Sequence, residues 1–282
     1  MARLQRDARD GGFLWKVTRG GHSSYLYGTM HVGRQAWLTP GPTVRAALMA
    51  SDTVALELDL EDPDIAQRIQ RGSRARPDRR LPAALQARLV HQMAAECLPS
   101  DLLEALSPEM VGAALTVTAA RREGLHPEYG VDGVVAAYGR QLGKPIVSLE
   151  TAEAQLALLI SSSNKALRES VESMLNELEH HRTTPVLLRI ARLWETGDEA
   201  ELERYPQWCD CARTTSERAE LKKLLGDRNP VMADRIAKLH GRGSRVFAAV
   251  GSLHLAEPHG LPSLMRARGF VVERVAFDRP GR

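Results

Sequence analysis

Cysteine is scarce. Cys97, Cys209 and Cys211 are the three in a chain of 282 residues, and an odd number cannot close into a complete disulfide framework. Cys209 and Cys211 are spaced C-x-C rather than C-x-x-C, with no second cysteine pair to complete a structural zinc site, so three ordinary thiols are expected. Long apolar runs are missing too: no stretch approaches the roughly 18–20 apolar residues that a membrane helix requires. The first 15 residues are charged and lack a signal-peptide core. The expectation is a soluble chain without a membrane-spanning segment, cytoplasmic as given, or periplasmic or secreted if a signal peptide has been removed. Charge of one sign is also lacking, because 38 Lys and Arg stand against 35 Asp and Glu for a formal net charge of +3. Aromatic residues make up only 5%. The densest basic stretch, RGSRARPDRR at 71–80, carries five arginines with no aromatics between them, which argues against a surface on which bases stack. It reads as a solvated loop, with a basic docking surface as the lesser alternative, and no nucleic-acid partner is expected.

What is present describes a globular protein, with 43% hydrophobic and 26% charged residues. FLWKV at 13–17 and SYLYGTM at 24–30 read as strands joined by a Gly-Gly turn. TPGPTVRAALMAS carries a helix start at Pro42, and TVALELDL at 53–60 alternates as a strand that puts Glu57 and Asp59 on one face. From Leu81 to about Leu239 apolar residues recur at helical spacing, interrupted by one convincing strand, KPIVSLE at 144–150. SRVFAAVGS, GLPSLMRARG and FVVERVAF then read as strand, helix and strand. The expected architecture is an α/β fold with a central mixed sheet, built from β-rich halves at 13–60 and 244–278 around a mainly helical middle at 81–239, in a single domain over 1–282.

The two ends share a pattern. YLYGTMHVG leads through a helix into VALELDL, and FAAVGSLHLAE leads through a helix into VVERVAF, so each half is a strand, Gly-x-x-His, a helix and a strand. A lone histidine is most often a surface or core residue satisfied by a backbone carbonyl. The same four-residue pattern after two apolar strands favours a different reading: the glycine lets the chain leave the strand sharply, and His31 and His254 are delivered to the crevice beyond the strand ends, where α/β sheets bind ligands. Glu57 is the third member. A carboxylate in an apolar strand is costly to bury unless it is paired or bound to metal; if its face is exposed there is no cost, and Asp59 on that face keeps the alternative open. Two histidines and a carboxylate would leave open positions on a metal for water.

With LWKVTRGGHSSYLYGTMHVG, ALELDL, GVDGVVAAYGRQLGKPIVSLETAEAQLALL, RNPVMADRIAKL and VFAAVGSLHLAEPHGLPSLMRARGFVVERV in that order, the chain resembles the TraB/PrgY/GumN family, which includes the Tiki metalloproteases. The resemblance implies a fold related to erythromycin-esterase-like and ChaN-like proteins. In the Tiki branch it implies a divalent-metal protease using manganese or cobalt, whose ligands map onto His31, His254 and Glu57; zinc or iron are the alternatives for the cofactor. It also matches Arg228 and Asn229, which could bind a substrate carbonyl or orient a carboxylate, and Glu150 of the SLET segment. Each has a plainer alternative: a salt-bridged helix end for Arg228, a helix start for Asn229 before Pro230, and a cap or exposed position for Glu150. Of the other histidines, His126, His180 and His181 read as solvated, and His259 as a residue near the pocket mouth.

The function expected is a metal-dependent hydrolase, a peptidase, in which His31, Glu57 and His254 hold the metal and Glu57, Glu150, Arg228 and Asn229 serve catalysis. The rivals are a module that sequesters a peptide or small ligand without turnover, and a metal-free esterase-like hydrolase with His31 or His254 as general base. The oligomeric state is left open.

Overall fold

A computed structural model describes residues 8–277; residues 1–7 and 278–282, included in the single-domain assignment, and position 278 of the second β-rich half, lie outside the described residues. The strands are β1 Phe13–Arg19, β2 His22–Thr29, β3 Thr53–Leu56, β4 Ile146–Ser148, β5 Val246–Gly251 and β6 Val271–Arg274. The longer helices are α1 Pro42–Ala50, α2 Pro63–Ser73, α3 Ala83–Ala95, α4 Pro108–Thr118, α5 Val131–Gln141, α6 Ala152–Leu159, α7 Asn164–Glu179, α8 Thr183–Thr196, α9 Asn229–Gly241 and α10 Leu261–Ala267. No helix among the described residues is long and apolar enough to cross a membrane. The chain forms two compact units. One takes the residues up to Asp59, Glu128–Glu150 and the chain from Arg189 onward; the other takes Leu60–Pro127 and Thr151–Leu188.

The first unit holds the sheet, ordered β4-β3-β5-β2-β1-β6. β4, β3, β5 and β2 run parallel, and β1 is antiparallel to both β2 and β6. The mixed α/β sheet expected from the sequence is therefore present. Gly20 and Gly21, at φ 61° and 82°, supply the left-handed turn of the β1–β2 hairpin. The central strands β3 and β5 are buried along almost their whole length, as parallel strands covered on both faces must be. From β2 the chain crosses β5 to reach β3, while from β5 it crosses β2 and β1 to reach β6. Adjacent parallel strands whose connections leave in opposite directions open a crevice at their carboxyl ends, and both Gly-x-x-His motifs lie there.

Three expectations about this unit change. β3 ends at Leu56, so Glu57 and Asp59 lie beyond the strand; both are buried, at 7% and 9% exposure, which removes the solvent-exposed alternative. Asp59 is instead paired with Arg140. The motif glycines are not needed for a sharp exit, because neither Gly28 nor Gly251 has a positive φ. They are needed for close approach: a Cβ on Gly28 would come within 2.9 Å of Ser252 Oγ, and one on Gly251 within 3.2 Å of Glu57 Oε1. Cys209 and Cys211 are joined as a disulfide and only Cys97 is free, because a helical turn and one intervening residue bring the two sulfurs together.

In the second unit the helical spacing reads directly as a core. Leu85, Leu89 and Met93 of α3 face Leu167, Val171 and Leu175 of α7, with Val111 and Leu115 of α4 in the same cluster. The helical spacing that runs through 151–181 is divided between α6 and α7, where the Ser163 side chain accepts from Ala166 N and caps α7. The basic stretch at 71–80 is not wholly solvated. Its first three residues end α2, and Arg79, its side chain 12% exposed, pairs with buried Glu109 and donates to Ser161 O at 2.7 Å.

Gly28→Ala is expected to lower stability by ~1–3 kcal/mol through overpacking against the Ser252 turn, read as a shifted urea midpoint with an unchanged slope.

Candidate functional site

β3 and β4 end in register, Leu56 opposite Ser148. The chains then continue side by side, with Leu149 N donating to Leu56 O at 2.7 Å and Glu150 N to Glu57 O at 2.9 Å. Two buried carboxylates thus leave neighbouring strands together, each residue 7% exposed. Arg228, the N-cap of α9, lies between them. Its Nε and Nη2 donate to the two Glu150 oxygens at 2.9 and 2.5 Å, and Nη2 also donates to Glu57 Oε2 at 2.5 Å. Nη1 donates to Leu224 O at 3.0 Å. The guanidinium fork matches a carboxylate bidentately, as a lysine could not. Glu150 is neither a cap nor an exposed residue.

The other Glu57 oxygen, Oε1, accepts the Gly251 N–H at 2.6 Å and lies 3.6 Å from His254 Nε2. His254 sits in the helical turn Ser252–Leu255 directly after β5 and is 3% exposed. Asn229 governs its orientation. The amide nitrogen donates to His259 O at 3.0 Å, which turns the amide oxygen toward His254 Nδ1 at 2.6 Å. That oxygen can only accept, so the proton is on Nδ1 and the Nε2 lone pair faces Glu57. Arg228 and Asn229, consecutive residues at the head of one helix, therefore hold the carboxylates and the imidazole respectively.

His31 follows β2. Its Nδ1 donates to Asp132 Oδ2 at 2.8 Å, and its side chain is 67% exposed. Asp132 lies in the first turn of α5, which Val131 N anchors to Met30 O at 2.8 Å; its other oxygen accepts from Thr29 Oγ1. Among the described residues no three His, Cys, Asp or Glu side chains are gathered as a ready cation cage. Glu57 and His254 face one another, and His31 is exposed and coupled electrostatically to Glu57.

The charges are coupled. Burial alone would raise the Glu57 pKa, but the imidazoles of His254 and His31, the Arg228 guanidinium and the Gly251 N–H outweigh it and hold the carboxyl at about 2. Burial pushes His254 down to about 4 against the pull of Glu57, keeping it neutral near pH 7. The Asp132 carboxylate raises His31 to about 9.

The profile of the TraB/PrgY/gumN family matches residues 13–274. The chain belongs to this family. Two relatives are the uncharacterized protein YbaP of Shigella flexneri and that of Escherichia coli strain K12. Each is 26% identical over 280 residues, covering 90% of this chain and 97% of the relative. No solved structure matches the chain. The family match spans every residue of the cluster, including partners that sequence reasoning passed over. Asp132 lies in the GVDGVV segment, yet an acid in the first turn of a helix ordinarily complements the helix dipole, so nothing local marks it out. Thr29, the Gly251 N–H and the His259 carbonyl carry no sequence signal, since each acts through its position at a strand end or in a loop.

Arg228→Leu would leave two carboxylates buried without their cation and is expected to destabilise the fold by ~3–5 kcal/mol; adding Glu150→Gln should recover part of the loss in the same urea titration. The pH profile of chelator-treated protein follows from the shifts. His254 is depressed from 6.5 to about 4, so its contribution is present above pH 6.5 and lost as pH falls toward 4. His31 is raised from 6.5 to about 9, so its contribution is present below pH 6.5 and lost as pH rises toward 9. The urea midpoint should therefore fall on both sides of about pH 6.5, with His254→Gln flattening the acid limb and His31→Gln the alkaline limb.

Proposed function

We propose that the chain is a divalent-cation-dependent hydrolase, specifically a peptidase, with His31, Glu57 and His254 as the residues that would hold the cation. The observation that carries this reading is a pair of opposed acceptors: His254 Nε2, with its proton on the far nitrogen, and Glu57 Oε1 face each other at 3.6 Å. Both histidines also have Nδ1 engaged, by Asp132 and by Asn229, which is how outer partners orient a metal-bound imidazole. His31 would have to give up its proton to ligate; with both imidazoles then neutral, Glu57, Glu150 and Asp132 against Arg228 leave two negative charges, which suits a dication. Imidazole nitrogen and carboxylate oxygen are compatible with manganese, cobalt, zinc or iron; manganese or cobalt, and a peptide rather than another substrate, are favoured by the likeness to the Tiki branch.

A cation held there supplies a Lewis acid that lowers the pKa of its water and polarises a carbonyl. Glu57 Oε1, the oxygen turned away from Arg228, can ligate or take a proton from the attacking water. Arg228 has three N–H bonds to carboxylates, so its part is to keep Glu57 ionised and aimed. Asn229 keeps the His254 lone pair toward Glu57. His31 as a metal-free general base is disfavoured, because a group titrating near 9 is protonated at neutral pH.

Protein purified without chelator is expected to contain stoichiometric Mn, Co, Zn or Fe, lost in His31→Ala. Asp132→Asn should weaken cation affinity by roughly 10–100-fold, measured by calorimetry. A peptide library should be cleaved with added Mn²⁺ and not with chelator. Hydrolysis that survives chelation would favour the esterase-like rival, and metal-free ligand binding with no cleavage under any cation would favour the sequestering module.

A further inference from the structure

The C-x-C pair plays no part in the site described above. Cys209 follows the helical turn Tyr205–Trp208 and is 6% exposed; Cys211 is partly exposed, and the two sulfurs are bonded. This bond encloses one residue, Asp210, which sits at φ 60°. The chain entropy that a disulfide removes rises with the logarithm of the loop it closes, so a bond across a single residue restrains very little of the unfolded chain. It also joins no separate elements, since Cys209 N is already tied to Tyr205 O at 2.9 Å. A stapling role is thus weak, and three local features suit sulfur chemistry instead. The two cysteines differ in exposure, Cys209 being buried and Cys211 partly exposed. The Cys211 N–H donates to Cys209 Sγ at 3.1 Å, which would stabilise a thiolate on Cys209. Arg213 pairs with Asp210, offsetting the one negative charge set between the two sulfurs.

We infer that Cys209 and Cys211 form a redox-active pair that exchanges with a dithiol partner, Cys211 being the sulfur attacked and Cys209 the leaving group. A partner thiolate attacks Cys211 Sγ. The new S–S bond to Cys211 forms as the Cys209–Cys211 bond breaks, and the electron pair leaves on Cys209 Sγ beside the Cys211 N–H. The second partner thiolate then attacks the partner's own sulfur in the mixed disulfide, releasing the Cys211 thiolate. The partner is oxidised by two electrons to its disulfide and the pair is reduced to a dithiol, with the two partner protons passing to the two cysteines. The reverse reaction reduces a partner disulfide. This inference is independent of the hydrolase reading.

The test uses the full chain carrying Cys97→Ser, because Cys97 is an exposed free thiol. Native protein treated with dithiothreitol and then alkylated should gain two alkyl groups by intact mass, and none without reductant, with its circular dichroism unchanged. Two further variants in that background, Cys209→Ser and Cys211→Ser, are exposed to oxidised glutathione. The first, which keeps the more exposed cysteine, should form a glutathione mixed disulfide at least tenfold faster than the second. Alkylation of both cysteines before reduction, reduction only after unfolding, or equal trapping rates in the two variants would each overturn the inference. If either variant fails to fold, the reduction of the Cys97→Ser chain by dithiothreitol decides alone.

Discussion

Two carboxylates cannot be buried side by side as anions without a cation between them, and here that cation is the Arg228 guanidinium. Parallel pairing of β3 and β4 carries Glu57 and Glu150 out of the sheet together, and Arg228 binds both. Like charges in a low-dielectric interior would otherwise force one carboxyl to take a proton. Because the fork has a fixed shape, it neutralises the pair and also sets its direction: Glu150 is gripped through both oxygens, whereas Glu57 gives up one oxygen and keeps the other turned toward Gly251 and His254. The chemistry available to the crevice follows from that unequal division.

The head of α9 does the positioning. Arg228 and Asn229 are adjacent in sequence, and one fixes a carboxylate while the other fixes a tautomer. The two histidines that the sequence presents as equivalents are therefore unequal in the fold. His254 is enclosed, neutral and oriented by an amide; His31 is exposed and held by a carboxylate that favours its charged form. The cluster has a buried half, made by the residues that follow β3 and β5 and by the head of α9, and a more exposed half, made by the end of β2 and the start of α5. That asymmetry is what a site must have if it is to admit a ligand from one side.

Much of this was legible in advance. The hairpin, the buried strands and the helical elements between them followed from turn chemistry and periodicity, because these depend on near neighbours in the chain. Where β3 ends was not legible, since TVALELDL alternates past Leu56 although the sheet pairing does not continue. Nor was the reason for the motif glycines: a lone glycine reads as a bend, whereas Gly28 and Gly251 are required by what packs over them, Ser252 in one case and a carboxylate oxygen in the other. The C-x-C disulfide was missed because an odd cysteine count excludes a full framework but does not forbid one local bond.

By itself the sequence determined which residue types are available and the period on which they recur, and with them the element types and the apolar faces. Side-chain spacing along a helix or strand is a local property, so one chain segment suffices to read it. Only the tertiary structure decided which charges meet. Glu57, Glu150, Arg228 and His254 are separated by long stretches of chain, and the protonation of Glu57 and His254 depends on the burial and the opposing charge that each finds after folding, quantities that no single segment contains.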